Sequence, residues 1–422
     1  MWTSFPPDNF VRTQSAVEGI EVYQPAPPDT APDRETVQFS CPRCGGITAY
    51  SASDGGLTCT NCNYYEPPRK QIVGQQAEEF EFTVETLEQA AHGWGQSRKE
   101  LQCQGCGAYT SLPPDSLSHT CPFCGSNNVI QRQSTQDVLR PRFLIPFKVE
   151  ADACYQIARN WLGSSWMTPG SLRRLARVAE FTGIYLPFWT FDAATAASWR
   201  AEVGHTTTYR DSKGNSHTRT TWKWESGQVQ LNINDMVVPG TSKVSNLLLN
   251  RIRNFNLNEL AVYEAAYLAG YQAQAYDIPL EGSWETARHE MREQTRQACR
   301  QQASSSKIRN FSMELNFGNE RWRYVLLPVY LANYQYQQQT FQVMVNGQTG
   351  AVAGQRPVDW LKIWLAVGGL LAPGLTLGVV GLFLLLLGGL GFPLLVLAFI
   401  VLGVGVAISF HLIRTALEMD DA

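Results

Sequence analysis

IYLPFWTFDA, residues Ile184–Ala193, is an apolar run that meets a proline and continues in aromatic residues. The pattern occurs three times, the others being FLIPFKVE at 143–150 and VLLPVYLANYQY at 325–336. Short runs rich in aromatic and branched residues read as strands, with the proline confined to an edge or a bulge because it has no N–H to give a ladder. From the middle copy the chain continues through WTFDAATAASWRAEVGHTTTYR, turns at DSKGNS and returns as HTRTTWKWESGQVQLNIND, which predicts a long hairpin. FSMELNF and TFQVMVNGQTGAV add strands, with Asn346-Gly347 as a turn signal. Helices are predicted in ADACYQIARNWL, SLRRLARVAEF, NLLLNRIRNFNLNELAVYEAAYLAGYQ and WETARHEMREQTRQACRQQA. The expectation for 138–357 is a mixed α+β domain of antiparallel sheet plus helices.

Ahead of this domain the sequence FSCPRCGGITAYSASDGGLTCTNCNYYEP, Phe39–Pro67, is echoed by LQCQGCGAYTSLPPDSLSHTCPFCGSNNV, Leu101–Val129. Both read C-x2-C, fourteen residues, C-x2-C. Zinc takes four thiolates in a tetrahedron, and two such knuckles supply them. Glycine after the second cysteine, in CPRCG, CQGCG and CPFCG, permits the turn. A redox dithiol needs no second knuckle. The metal ligands are therefore predicted as Cys41, Cys44, Cys59 and Cys62 for one Zn2+, and Cys103, Cys106, Cys121 and Cys124 for a second. With four protein ligands no coordination position stays open, so both ions are structural. The zinc ribbons span 39–67 and 99–131. A connector at 69–98 is expected to hold one helix within EEFEFTVETLEQAAHGW. Cys154 and Cys299 are expected to be buried thiols.

Charge limits the partners. The whole chain has a formal net charge of -3. In 39–67, Arg43 faces Asp54 and Glu66, so 1 − 2 = -1; in 99–132, Lys99 and Arg132 balance Glu100 and Asp115. Phosphate contacts need Lys and Arg, so these ribbons are poorly equipped for nucleic acid. Their aromatics, Tyr50, Tyr64, Tyr65, Tyr109 and Phe123, either fill the small ribbon cores or form a protein contact. Residues 1–38 are proline-rich with a net charge of 2 − 6 = -4, which predicts a disordered tail.

The far end of the chain is of a different kind. From Ile363 to Phe410 no Asp, Glu, Lys or Arg occurs over 48 residues. About 20 apolar residues span a bilayer, so the run is long enough for two crossings. Gly388-Gly389-Leu390-Gly391-Phe392-Pro393 breaks it into spans at 361–387 and 392–413. Arg356, Lys362 and Arg414 flank the pair, which predicts a two-span protein of the cell membrane with both termini cytoplasmic. Gly374, Gly378 and Gly381 form a small-residue stripe, with Gly403 as a facing candidate. The stripe suits close helix packing and offers a homo-oligomer contact. With no Asp, Glu, Lys or Arg from Ile363 to Phe410, an anchor is expected and not a channel.

Enzyme motifs do not emerge. There is no G-x-x-x-x-G-K-[ST] loop and no G-x-S-x-G elbow. HEMRE at 289–293 lacks the second histidine of a zinc protease. His205, His217 and Asp211 flank one hairpin, but the histidines sit among Thr, Arg and Ser in a polar strand pair, and no catalytic role is expected of them. A non-enzymatic protein is expected.

The order of two ribbons, YLPFWTFDA, RYVLLPVYLANYQY, VNGQTGAVAG and a membrane hairpin resembles a bacterial family of membrane-anchored double zinc-ribbon proteins. The resemblance covers nearly all of the chain after residue 38. It implies association with flotillin-like (SPFH-domain) and phage-shock membrane-stress proteins, and an adaptor that recruits a soluble cytoplasmic partner to the lipid bilayer. Some members carry a primosomal-helicase label because of the cysteines, but this chain has no nucleotide-binding loop. The competing expectation is a nucleic-acid-binding zinc-ribbon protein, tied to replication or transcription and tethered to the membrane.

Overall fold

A computed structural model describes residues 10–13, 22–25, 40–67, 72–74, 80–81, 99–112, 121–124, 129–133, 139–172, 177–178, 181–210, 216–337, 339–388 and 391–420. The fold is α+β. In chain order come β1 (Phe10–Thr13), β2 (Val22–Pro25), β3 (Thr48–Ser51), β4 (Gly56–Cys59), β5 (Tyr65–Glu66), β6 (Phe80–Glu81), β7 (Lys99–Cys103), β8 (Tyr109–Leu112), β9 (Val129–Gln133) and β10 (Phe143–Leu144). Helix α1 (Ala151–Leu162) leads to β11 (Arg177–Val178), β12 (Thr182–Arg210) and β13 (Ser216–Pro239). Then follow α2 (Asn246–Ile252), β14 (Ala261–Val262), β15 (Gln272–Ala273), α3 (Leu280–Gln302), β16 (Ile308–Tyr336), β17 (Gln339–Asn346), β18 (Val352–Gly354), α4 (Trp360–Gly388) and α5 (Phe392–Asp420).

The frame is the antiparallel ladder β13–β12–β16. Successive side chains on a strand face opposite sides. In β12, Ile184, Leu186 and Phe188 enter one core with Val325, Leu327 and Val329 of β16. Tyr185, Trp189 and Phe191 enter the other with Leu326 and Tyr330. Both faces are thus buried here, which is why IYLPFWTF is apolar but for Thr190 instead of alternating. Beyond Asp192 the burial of β12 alternates, as in a ribbon with one covered face. The change coincides with bulges against both neighbours near Asp192. There the guanidinium of Arg323, 2% exposed, pairs with Asp235, whose own N–H donates to Asp192 at 2.7 Å.

Pro187 and Pro328 lie inside β12 and β16 and not on an edge or a bulge as expected, while Pro146 lies beyond the end of β10. Pro187 accepts from the Gly240 N–H and Pro328 from the Gly347 N–H, each at 2.9 Å. A strand residue's N and C=O point the same way in an antiparallel pair. The missing donors therefore face the sites where β13 has ended at Pro239 and β17 at Asn346, and no ladder bond is lost.

Several expected elements differ. Only Asn246–Ile252 of the 246–272 segment forms an α-helix; short 3-10 turns and strands follow. The Asn256 side chain accepts from the Asn258 N–H and Gly270 adopts φ +84°, and both interrupt a helix. Of the helix expected at 171–181, Leu172 is helical, but Arg177 and Val178 form β11, where Val178 pairs with Tyr334; residues 173–176 and 179–180 lie outside the described residues. Within the tail expected to be disordered, β1 and β2 pair, with Val11 opposite Gln24 and Arg12 opposite Tyr23. Val11, Val22 and Tyr23 are strand formers that the proline count outweighed. Phe80 and Glu81 of the connector pair with Trp322 and Arg321 as a strand. The remainder of its expected helix lies outside the described residues.

The α4–α5 pair is apolar over Trp360–Leu387 and Phe392–Leu417, 28 and 26 residues, long enough to cross a membrane. The most apolar windows are only 11% and 17% buried, unlike the core helices of a soluble domain. A Cβ on Gly374 would sit 3.0 Å from Leu402 Cβ, and one on Gly381 3.1 Å from Leu395 N. The glycine stripe therefore closes the hairpin within one chain and is not free for a second copy. Gly403, the expected facing glycine, has open space around it; the stripe meets Leu402, Ala398 and Leu395 of α5, and Gly405 lies beside Leu370 O. Replacing Gly374 by Val is expected to cost about 1–3 kcal/mol by overpacking. Gly378→Ala, where the nearest atom is 3.8 Å away, is expected to be neutral. Thermal unfolding in detergent, following the far-ultraviolet helix signal, checks the contrast.

Candidate metal centres

Each ribbon is a short antiparallel sheet that brings two turns together. In the first, β3, β4 and β5 pair in sequence, and Cys41 and Cys44 precede β3 while Cys59 ends β4. Cys41 Sγ lies 3.6 Å from Cys62 Sγ, and Cys44 Sγ 3.6 Å from Cys59 Sγ. In the second, β7 pairs with β8 and β9. Its Cys103–Cys124 and Cys106–Cys121 sulfur distances are 3.6 and 3.7 Å. Within each group all four sulfurs lie within 4.8 Å of one another. A disulfide would need about 2.05 Å. A tetrahedron with metal–sulfur bonds of about 2.3 Å has edges of about 3.8 Å, which these distances match. Each four-cysteine group can hold a metal ion.

The turns show why the sequence folds this way. The Cys41 N–H donates to Gly46 O at 2.7 Å and the Gly45 N–H to Cys41 O at 2.8 Å, with Gly45 at φ +72°. Gly107, at φ +68°, repeats the bond to Cys103 O. CTNCN has no such glycine; Asn63 takes the left-handed position at φ +54°, as asparagine does more readily than most side chains. Backbone N–H groups of Arg43 and Gly105 point at Cys41 Sγ and Cys103 Sγ, at 3.4 and 3.3 Å. Bonds from the N–H groups of Cys62 and Asn61 hold the Cys59 thiol down, to about 6. At Cys103 burial acts upward, but the N–H groups of Cys106 and Gly105 outweigh it and bring the thiol to about 7. Such donors favour the thiolate, the form a metal takes.

The two ribbons are not free knobs. Tyr50, 7% exposed, packs its ring 5.3 Å from that of Tyr267, and its N–H donates to Ala269 O at 3.0 Å. The Ser53 N–H reaches Glu150 at 2.7 Å. The second ribbon goes further. Ala273 of β15 pairs with Ser111 of β8, Gln342 donates to Phe123 O at 2.9 Å, and Cys103, Cys121 and Phe123 belong to the core that holds Ile184 and Leu186. Of the ribbon aromatics, Tyr50 and Phe123 therefore bind the α+β domain. Tyr64 is half-buried, and Tyr65 and Tyr109 remain exposed.

Other candidates separate. His205 pairs with Glu225 at 3.1 Å while His217 stacks on Tyr209, so the two histidines do not converge; Asp211 lies outside the described residues. In HEMRE, Glu290 pairs with Arg253 and Glu293 with Arg296 on a partly exposed helix face. Cys154 and Cys299 are buried as expected.

One surface was not foreseen. Where β12, β13 and β16 run farthest from α4, Arg309 lies 4.2 Å over the Trp222 ring and Arg200 4.5 Å over Trp224. Arg309 also pairs with Glu202, and Lys307 donates to Thr206 at 2.7 Å. Among described residues here, Arg200, Arg210, Arg219, Lys223, Lys307 and Arg309 oppose Glu202 and Glu225, so 6 − 2 = +4 in a chain of net -3. The signal was WKWE, whose alternation puts both tryptophans on one face. Seeing the arginines against them needed the register of two other strands.

No family model matches the chain, and no solved structure matches it. A curated sequence does. The chain is similar to the uncharacterized protein YdjG of Bacillus subtilis (strain 168), with 25% identity over 334 residues. The match covers 78% of this chain and 92% of that relative.

Cys41→Ser and Cys103→Ser are each expected to lower bound metal by one ion per chain, measured by elemental analysis. Cys103→Ser is also expected to lower the melting temperature of the α+β domain, because its site shares that domain's core. Acidification should release metal, because protons compete with the ion for the thiolates and affinity falls as pH drops. A colorimetric chelator titrated from neutral to acid pH follows the release.

Proposed function

We propose that the chain is a membrane-anchored zinc-ribbon adaptor that holds a cytoplasmic protein partner at the bilayer. The carrying observation is that one chain joins two four-cysteine groups to a pair of apolar helices through a packed domain. Zinc is the metal that suits four thiolates at tetrahedral spacing, and the closed site makes it structural. Arg356, Lys362 and Arg414 at the outer ends of α4 and α5 favour a cytoplasmic face for both termini. Reducing conditions there keep ribbon thiols available for metal. The flotillin-like class remains the partner implied by the family resemblance.

The docked ribbons change which surface does the recruiting. Tyr50 and Phe123 are committed inside the chain, so the cationic, tryptophan-bearing end of the β12–β13 hairpin is the better contact for an acidic partner. Measured along β16 from Tyr334, that end is roughly 85 Å away, at about 3.3 Å per residue. The alternative, nucleic-acid binding, would fall on this end rather than on the near-neutral ribbons.

The decisive experiment is affinity capture of the full-length protein from native membranes, comparing wild type with Trp222→Ala/Trp224→Ala and with Cys41→Ser. A protein lost from the tryptophan variant supports recruitment by the hairpin end. An unchanged set of captured proteins opposes it. Salt-sensitive DNA or RNA binding that disappears in the tryptophan variant would favour the alternative.

A further inference from the structure

Among the described residues, an uncharged loop of the α+β domain bonds to the start of α4. Lys362 Nζ donates to Thr168 O at 2.6 Å and the Asp359 N–H to Met167 O at 2.8 Å. Met167, 6% exposed, packs in a cluster with Ile363, Val367 and Ala416 of the hairpin. The start of the loop is tied as well: Arg356 donates to Trp161 O at 2.9 Å and to Ser164 Oγ at 3.0 Å, with its guanidinium 4.2 Å over the Trp161 ring.

These contacts set the level of the loop along α4. Lys362 is the last charged residue before the uncharged run begins at Ile363. If α4 and α5 span the bilayer, the boundary between water and hydrocarbon therefore lies at the first turn of α4. Met167 and Thr168 bond to that turn. Trp166 precedes Met167 by one residue, about 3.8 Å along the chain, and is 51% exposed. Gly163–Gly170, GSSWMTPG, contains no Asp, Glu, Lys or Arg. On α4 itself Trp360 and Trp364 bracket Lys362, with Trp364 58% exposed. Tryptophan concentrates at this depth because its ring is apolar and its N–H can bond to water and headgroups.

We propose that the loop 163–170, with Trp166 as its anchor, is a third membrane contact seated in the headgroup layer beside the hairpin. Its occupant is the lipid surface, because the loop is continuous with the faces of α4 and α5 that lipid would cover. A soluble protein could reach it only through headgroups. The contact adds a point off the hairpin axis, so the α+β domain is held in one orientation on the bilayer instead of swinging on a tether. The proposal rests on the reading of α4 and α5 as membrane spans.

The test uses the full-length protein in lipid vesicles, with an environment-sensitive fluorescent amino acid inserted by codon suppression at one position at a time. This avoids labelling the metal-site thiols. Positions 166, 375 and 207 serve as loop, mid-span and aqueous probes; Leu375 is 57% exposed and Thr207 lies near the far end of β12. The expected result is a blue-shifted emission at 166 that is lost with headgroup-level quencher lipids, loss at 375 only with deep quenchers, and no loss at 207. Emission at 166 insensitive to both quenchers, with 375 still quenched, would overturn the loop contact and leave the spans standing. Insensitivity at both 166 and 375 would overturn the spans and the loop together.

Discussion

The structure depends on the burial of Ile184–Phe191 and Tyr324–Leu331 on both faces of the sheet. A strand pair covered on one side needs one packing layer, but this pair needs two. Helices α1 and α3 and the first ribbon cover the face of Tyr185, Trp189 and Tyr330. Helix α2 and the second ribbon cover the face of Ile184, Leu186 and Val325. The four-cysteine groups are thereby drawn into the folding of the main domain. A segment as short as a ribbon cannot build its own core, and bound metal offsets that deficit. Here the ordered ribbon then completes a larger core, Cys103 and Cys121 being part of it.

The same constraint explains the strand prolines. A central strand cannot spare a ladder bond, since an unpaired buried backbone group costs free energy comparable to a lost hydrogen bond. Pro187 and Pro328 are tolerated because β13 and β17 stop where their N–H groups would have pointed. Past Asp192 the covering layers thin out, one face opens, and the ladder continues as an exposed ribbon whose charge is opposite in sign to that of the whole chain. The mostly paired core and the open ribbon are one continuous set of strands, which links the docked ribbons, the hairpin and the cationic end mechanically.

Much of this was legible beforehand. The cysteine spacing, the hairpin through DSKGNS, helix α3, the Asn346-Gly347 turn and the two apolar helices were all readable because each is specified by local spacing or by a long uniform run. The misreadings have a common cause. The end of SLRRLARVAEF and the NLNELAVYEAAYLAGYQ part of 246–272 have helical periodicity, yet pairing with β16, β10 and β12 overrides it at Val178, Val262 and Gln272. Partners distant in sequence leave no periodic trace. Gly374 and Gly381 were recognisable as small-residue contacts, but that they meet Leu402 and Leu395 and not Gly403 depended on the exact rotation of α5.

The sequence by itself determined the chemistry of the parts. Eight cysteines at ligand spacing, two apolar helices long enough to cross a membrane and a proline-aromatic strand motif follow from residue identity and spacing alone. Only the tertiary structure decided what those parts touch. Whether Tyr50 and Phe123 meet solvent or the domain, whether the glycine stripe faces its own chain, and whether Arg309 and Arg200 meet Trp222 and Trp224 are questions of register between segments far apart in sequence. Such contacts are fixed by the requirement that both faces of one sheet be covered at once, a condition on the whole chain that no local pattern can express.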